Sequence, residues 1–223
     1  VTKELKCGER FVRCLTGGDI DKVPFGAGLG WNPWGETLEK WREETGRPGL
    51  SPAEEFGYEK SFAIPKTEPG IFPCFEEKIL ESDNEHTVMT DRRGITLRAR
   101  KDGGSMPEFL SYPVETPEDW ERLKEERLKA DDAGRVTENW DEFRSRLKAT
   151  GESAQLGDYP WGVFGAARDI LGVERLLLGM MDEPAMIKDI MTHLTSLWLQ
   201  GSRMKTRVDF QKVNIRRAYI LSF

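Results

Sequence analysis

The chain has 223 residues and carries 33 Lys plus Arg against 39 Asp plus Glu, a formal charge of −6. That length fits one domain, read here as residues 1–223, and does not limit burial of a full core. The longest apolar run falls far short of the roughly 18 residues of a membrane span, and an acidic balance with no basic, aromatic-interleaved stripe argues against nucleic acid as a partner.

The opening Val1-Thr2-Lys3-Glu4-Leu5-Lys6 lacks the apolar core of a signal peptide, so the expected compartment is the reducing cytoplasm. Cys7, Phe11, Cys14 and Leu15 share one stripe of a helical reading, where cysteine acts as a small apolar group, and all are expected in the core. With Cys74 the cysteines are odd in number and widely spaced, which indicates neither a disulfide framework nor a thiolate zinc knuckle. Thr16-Gly17-Gly18-Asp19 stops this helix, and Val23-Pro24-Phe25-Gly26-Ala27 reads as a brief strand. The run Gly26-Ala27-Gly28-Leu29-Gly30 has a superficial likeness to a phosphate-cradling turn, but its spacing is not a dinucleotide fingerprint, and a strand-to-helix connection is the plainer reading. A second helical stretch runs from near Trp34 to Thr45 and ends at Gly46-Arg47-Pro48-Gly49. A third starts at Ser51, with Pro52 at its first position and Glu54 at its third.

Between Phe72 and Arg100 the pattern changes to short β-type runs, Lys78-Ile79-Leu80, Thr87-Val88-Met89-Thr90 and Ile95-Thr96-Leu97-Arg98, divided by polar turns. They predict a small antiparallel meander inserted in the fold. Thr116, followed by Pro117 and Asp119, is a strong N-cap for a helix that faces Trp120, Leu123 and Leu128 inward. Thr137 is read as the cap of the next helix, with Trp140, Phe143 and Leu147 in register. From Asp182-Glu183-Pro184 a long helix repeats Met186, Ile187, Ile190, Met191, Leu194, Leu197 and Trp198 at a period near 3.6, which fits a buried stripe better than an adaptable methionine-lined groove.

Chemistry-bearing motifs are sparse. His86, in the predicted hairpin, and His193, on the last helix, have no neighbours at metal-ligand spacing and are read as surface or capping groups. The pairs Glu76-Glu77, Glu125-Glu126 and Asp131-Asp132 are adjacent rather than facing, which suits solvated faces better than acid–base work. No serine sits in a nucleophile-elbow pattern. More suggestive are Gly30-Trp31-Asn32-Pro33-Trp34 after the first strand and Tyr159-Pro160-Trp161-Gly162-Val163-Phe164-Gly165 before a helix containing Arg168 and Asp169. Aromatic-lined loops at the carboxyl ends of parallel strands would form one side of a pocket. Trp31, Asn32, Trp161 and Arg168 are therefore the candidate substrate-binding residues, Arg168 for an anionic group; the alternative is that the tryptophans cover a barrel rim and Arg168 pairs with a nearby acid. No catalytic residue, cofactor ligand or metal ligand is assigned.

Three groups of segments carry a family likeness: Phe11-Val12-Arg13-Cys14-Leu15-Thr16-Gly17 with Asp21-Lys22-Val23-Pro24-Phe25; Gly104 to Val114 leading into Glu118-Asp119-Trp120-Glu121-Arg122-Leu123-Lys124; and Leu171 to Leu177 with Met181-Asp182-Glu183-Pro184. They resemble the uroporphyrinogen decarboxylase superfamily, more narrowly its decarboxylase-like and corrinoid-methyltransferase-like members, and the likeness spans most of residues 8–210. It implies an α/β fold, an incomplete (β/α)8 TIM-type barrel, with the hairpins of residues 72–100 as a decoration and residues 211–223 as a divergent tail. The family's decarboxylases carry an arginine-rich loop after the first strand and an aspartate in a Phe-Ser-Asp motif; here that loop reads Gly28-Leu29-Gly30-Trp31-Asn32 and the motif is missing, so porphyrinogen decarboxylation is not expected. The methyltransferase branch places its zinc-binding histidine and cysteines in the second half of the barrel, which this chain is expected to lack. The function implied is that of a truncated uroporphyrinogen decarboxylase-like protein of unassigned substrate. A corrinoid- or cobalamin-dependent methyltransferase-like fragment and a non-catalytic interaction or assembly protein stay open beside it. Expected partners are a small anionic or corrinoid-linked substrate and a second copy or other chain at the open barrel edge, with neither nucleic acid nor membrane.

Overall fold

The computed structural model describes residues 4–25, 33, 35–60, 62–103, 106–130, 133–154 and 162–206. In chain order its elements are α1 (Cys7–Leu15), α2 (Gly35–Thr45), α3 (Pro52–Glu55), β1 (Phe62–Ala63), β2 (Lys78–Ser82), β3 (His86–Thr90), β4 (Thr96–Arg100), β5 (Glu108–Ser111), α4 (Pro117–Arg127), a 3-10 turn at Ala133–Arg135, α5 (Trp140–Thr150), β6 (Ser153–Ala154), α6 (Gly162–Leu171), α7 (Val173–Asp182) and α8 (Pro184–Thr206). The result is a mixed α/β fold with two small sheets, one of β1 and β6 and one in the order β2-β3-β4-β5. The chain divides into two units, Val1–Pro65 with Asn139–Gln155, and Lys66–Glu138 with Leu156–Phe223.

In the first unit β1 and β6 run parallel, Phe62 opposite Ser153 and Ala63 opposite Ala154. Ala63 forms a small core with Phe143 and Leu147 of α5, the two positions that share a face with Trp140 at helical spacing. The cap of α5 differs from expectation: Asn139, not Thr137, accepts from the backbone N–H of Asp141 at 3.2 Å and Glu142 at 3.4 Å. Thr137 lies ahead of the helix start and donates its backbone N–H to the Lys66 carbonyl at 3.2 Å. Ser51 precedes α3 as expected but its side chain makes no capping bond, so Pro52 carries that start.

Helix α1 does not bury the stripe read from sequence. Its buried residues are Gly8 and Arg10, whereas Cys14 is exposed, Leu15 is 46% exposed and Cys7 is half-buried. Two causes fix this orientation. The backbone at Gly8 lies against the strand leading into β6, donating to the Gly151 carbonyl at 3.0 Å, and a Cβ there would fall 2.4 Å from the Ser153 nitrogen. Arg10, only 2% exposed, is gripped by Asp21 and Glu59, each at 2.7 Å. A close backbone approach and an ion cluster thus outrank the apolar stripe. The expected strand at Val23–Ala27 is also not seen over its described part: Val23 and Phe25 are exposed and Val23–Phe25 lies in no ladder, the Phe25 carbonyl only accepting from Glu59 N–H at 2.6 Å.

In the second unit the meander forms as read, and β5 extends it beyond Arg100 to four antiparallel strands. Its turns are built by aspartate. Asp83 accepts from the N–H groups of Glu85 and His86, and Asp91 from those of Arg93 and Ile95, the side-chain-to-backbone pattern that makes aspartate a turn residue. The core gathers Val114, Trp120, Leu123 and Leu128 with Ala166, Ala167, Ile170 and Leu171 of α6, Leu176 of α7, and Ile187, Ile190, Leu194 and Leu197 of α8; Met186, Met191 and Trp198 pack at its margin. The stripe of α8 is therefore a packing surface. Thr116 and Asp119 form a full capping box at the start of α4, so two of the four free N–H groups at that helix end are satisfied reciprocally. Among the described residues no helix is long and apolar enough to cross a membrane.

Candidate functional site

Of the four candidate substrate contacts, Trp31, Asn32 and Trp161 lie outside the described residues, as do the Gly26–Gly30 run and Asp131-Asp132. Arg168 is described. It sits on α6 with its side chain exposed, its carbonyl accepting the Gly172 N–H at 2.7 Å, and among the described residues no carboxylate pairs with its guanidinium. The next residue behaves oppositely. Asp169 is buried and accepts from the Arg93 guanidinium at 3.0 Å, while Arg93 also reaches Asp91 at 2.7 Å. Burial works against the Arg93 charge, but the Asp91 hydrogen bond and the nearby Asp169 charge outweigh it, so Arg93 is held above its ordinary value. The adjacent Arg168-Asp169 pair is thus split by helix geometry, since successive residues point about 100° apart. Asp169 ties α6 to the β3–β4 turn, and Arg168 faces outward.

A shallow groove of about 320 Å³ lies between the first turns of α4 and α8, lined by Pro117, Glu118, Trp120, Glu121, Ala185, Met186 and Asp189. Asp189 accepts from the Trp120 indole N–H and from the Lys124 ammonium, both at 2.8 Å. Those two bonds, Lys124 first, hold its carboxyl below the usual aspartate range. Lys124 also reaches Glu121 at 2.8 Å, and despite the opposing effect of burial its ammonium is held above the ordinary lysine value. A carboxylate so stabilised keeps its charge at neutral pH and is a poor proton carrier. The network fastens α4 to α8.

Of the two histidines, His193 takes the capping role read for it. His193 Nε2 lies 2.9 Å from the carbonyl of Leu128, the residue that ends α4, and so donates to it, with the ring edge-on to Trp120. His86 is half-buried in β3, 3.9 Å from Asp83. Glu76, Glu77, Glu125 and Glu126 are exposed. Cys74 accepts from Arg92 at 3.1 Å, a contact that raises the Arg92 value.

Two charged features were not anticipated. One is the Arg10 cluster, where Asp21 first and Glu59 with it hold Arg10 above its ordinary value and Lys22 adds a 2.6 Å contact to Glu59. The other is Arg135, 4% exposed, whose guanidinium donates to the carbonyls of Lys129, Glu68, Gly70, Phe72 and Arg127. Nothing in local sequence marks either arginine, because each also draws partners from distant segments, Glu59 for Arg10 and Glu68, Gly70 and Phe72 for Arg135.

No protein-family model, curated protein or solved structure matches the chain. Among the described residues no three His, Cys, Asp or Glu side chains are grouped to hold a metal, so a zinc of the kind the methyltransferase branch uses finds no fitting ligand set there.

Proposed function

We propose that this chain is a uroporphyrinogen decarboxylase-like protein built on the (β/α)-barrel plan, which binds a small anionic substrate and does not decarboxylate porphyrinogens. The observation that carries this reading is the parallel pairing of β1 with β6, since such barrels are assembled from parallel strands. Arg168 is the proposed anion-binding group, because its guanidinium is exposed and not committed to a carboxylate among the described residues. Hydrogen bonds to a charged partner are each worth about 1.5–3 kcal/mol, so Arg168→Gln is expected to weaken binding about tenfold or more. Titration calorimetry with a panel of small mono- and dicarboxylates, alongside a CO2-release assay on a porphyrinogen, tests this. Equal affinity of wild type and Arg168→Gln for every acid that binds, or porphyrinogen turnover above a no-enzyme control, overturns it.

The second reading, a non-catalytic interaction protein, is favoured by the two-stranded β1–β6 sheet, since neither strand has a second neighbour among the described residues and unpaired strand edges recruit other strands. Under it the chain associates with itself or with a partner. Light scattering coupled to size exclusion is expected to give a mass that rises with protein concentration; a concentration-independent monomer with one sharp unfolding transition refutes it.

A further inference from the structure

We draw no further inference here: the strongest candidate, the exposed apolar stripe of Val173, Leu177, Met180 and Met181 along α7, is an unpartnered helix face, and nothing in the structure shows what covers it.

Discussion

Replacing Arg135 by alanine removes a guanidinium that five carbonyl oxygens share, four of them at 2.6–2.9 Å and Phe72 at 3.4 Å. A bond from a charged donor contributes about 1.5–3 kcal/mol net, so the four short bonds at full value would sum to about 6–12 kcal/mol, comparable to a typical domain's entire stability of about 5–15 kcal/mol. The true loss is smaller. Glu68, Gly70, Phe72 and Arg127 are half-buried and Lys129 is exposed, so water rehydrates part of what the side chain leaves, and the cost of burying the cation is recovered. An expected loss of about 3–5 kcal/mol follows, the range seen when one side of a buried charged contact is deleted. At about 2–4 °C per kcal/mol for a chain of this size, the melting temperature falls by roughly 6–20 °C. Arg135→Lys keeps the charge but not the planar fork that reaches several carbonyls at once, and should recover about half the loss. Urea unfolding followed by circular dichroism measures the difference, and hydrogen exchange over Glu68–Phe72 and Arg127–Val136 localises it. The reasoning is refuted if Arg135→Ala lies within about 1 kcal/mol of wild type, or if exchange in those two segments is unchanged.

Gly172 stands at φ +80° and ψ 161°, a region nearly reserved for glycine, and a Cβ there would meet the Tyr112 ring at 2.5 Å. Gly172→Ala should therefore cost about 2–4 kcal/mol from strain plus overpacking, whereas Gly46→Ala, at φ +62° with no atom within 4 Å, costs only the left-handed strain of about 1–2 kcal/mol; equal urea midpoints for the two variants would sink this contrast. Asp189 is depressed below its ordinary 3.8 by Lys124 and Trp120, so its stabilisation is present above that pH and is lost as pH falls through the lower folded value. The urea midpoint of Asp189→Asn should accordingly lie below wild type at pH 7 and converge with it below pH 3.8, and a gap that stays constant with pH would show that the Lys124 contact is not the cause.

Local signals carried much of the fold, and distant ones set the rest. Thr116, Pro117 and Asp119 lie within four residues and produce the capping box they spell, and the α8 stripe needs only a helical period to become a packing face. The meander was legible for the same reason: its turns are made by Asp83 and Asp91 acting on their own neighbours. Failures come where a distant segment decides. Cys14 and Leu15 read as core because the sequence does not show that Gly151 and Asp21 would hold only the first half of α1, leaving its last turn exposed. Asn139 rather than Thr137 is the cap because α5 begins at Trp140, two residues later than the threonine reading placed it. The strands β1 and β6 are two residues long, too short for any periodicity to register. Within the candidate site, the capture of Asp169 by Arg93, a residue far away in sequence, was not readable.

The division into two units has a consequence for how the chain is made. Each unit is stitched from separated stretches, so the backbone passes between them at Pro65, Glu138 and Gln155. During N-to-C synthesis β1 must wait for the whole of Lys66–Glu138 to emerge before Ser153 arrives to pair with it, and Gly8 waits equally long for Gly151. Trp120 and Leu123 likewise have no covering helices until α6 and α8 have left the ribosome. Nascent α1 and α4 therefore present incomplete cores for most of translation, a window in which holdase chaperones find their targets. The same threading means that no single cut releases either unit whole: a fragment ending at Glu138 strands β1 without its ladder and α4 without its cover.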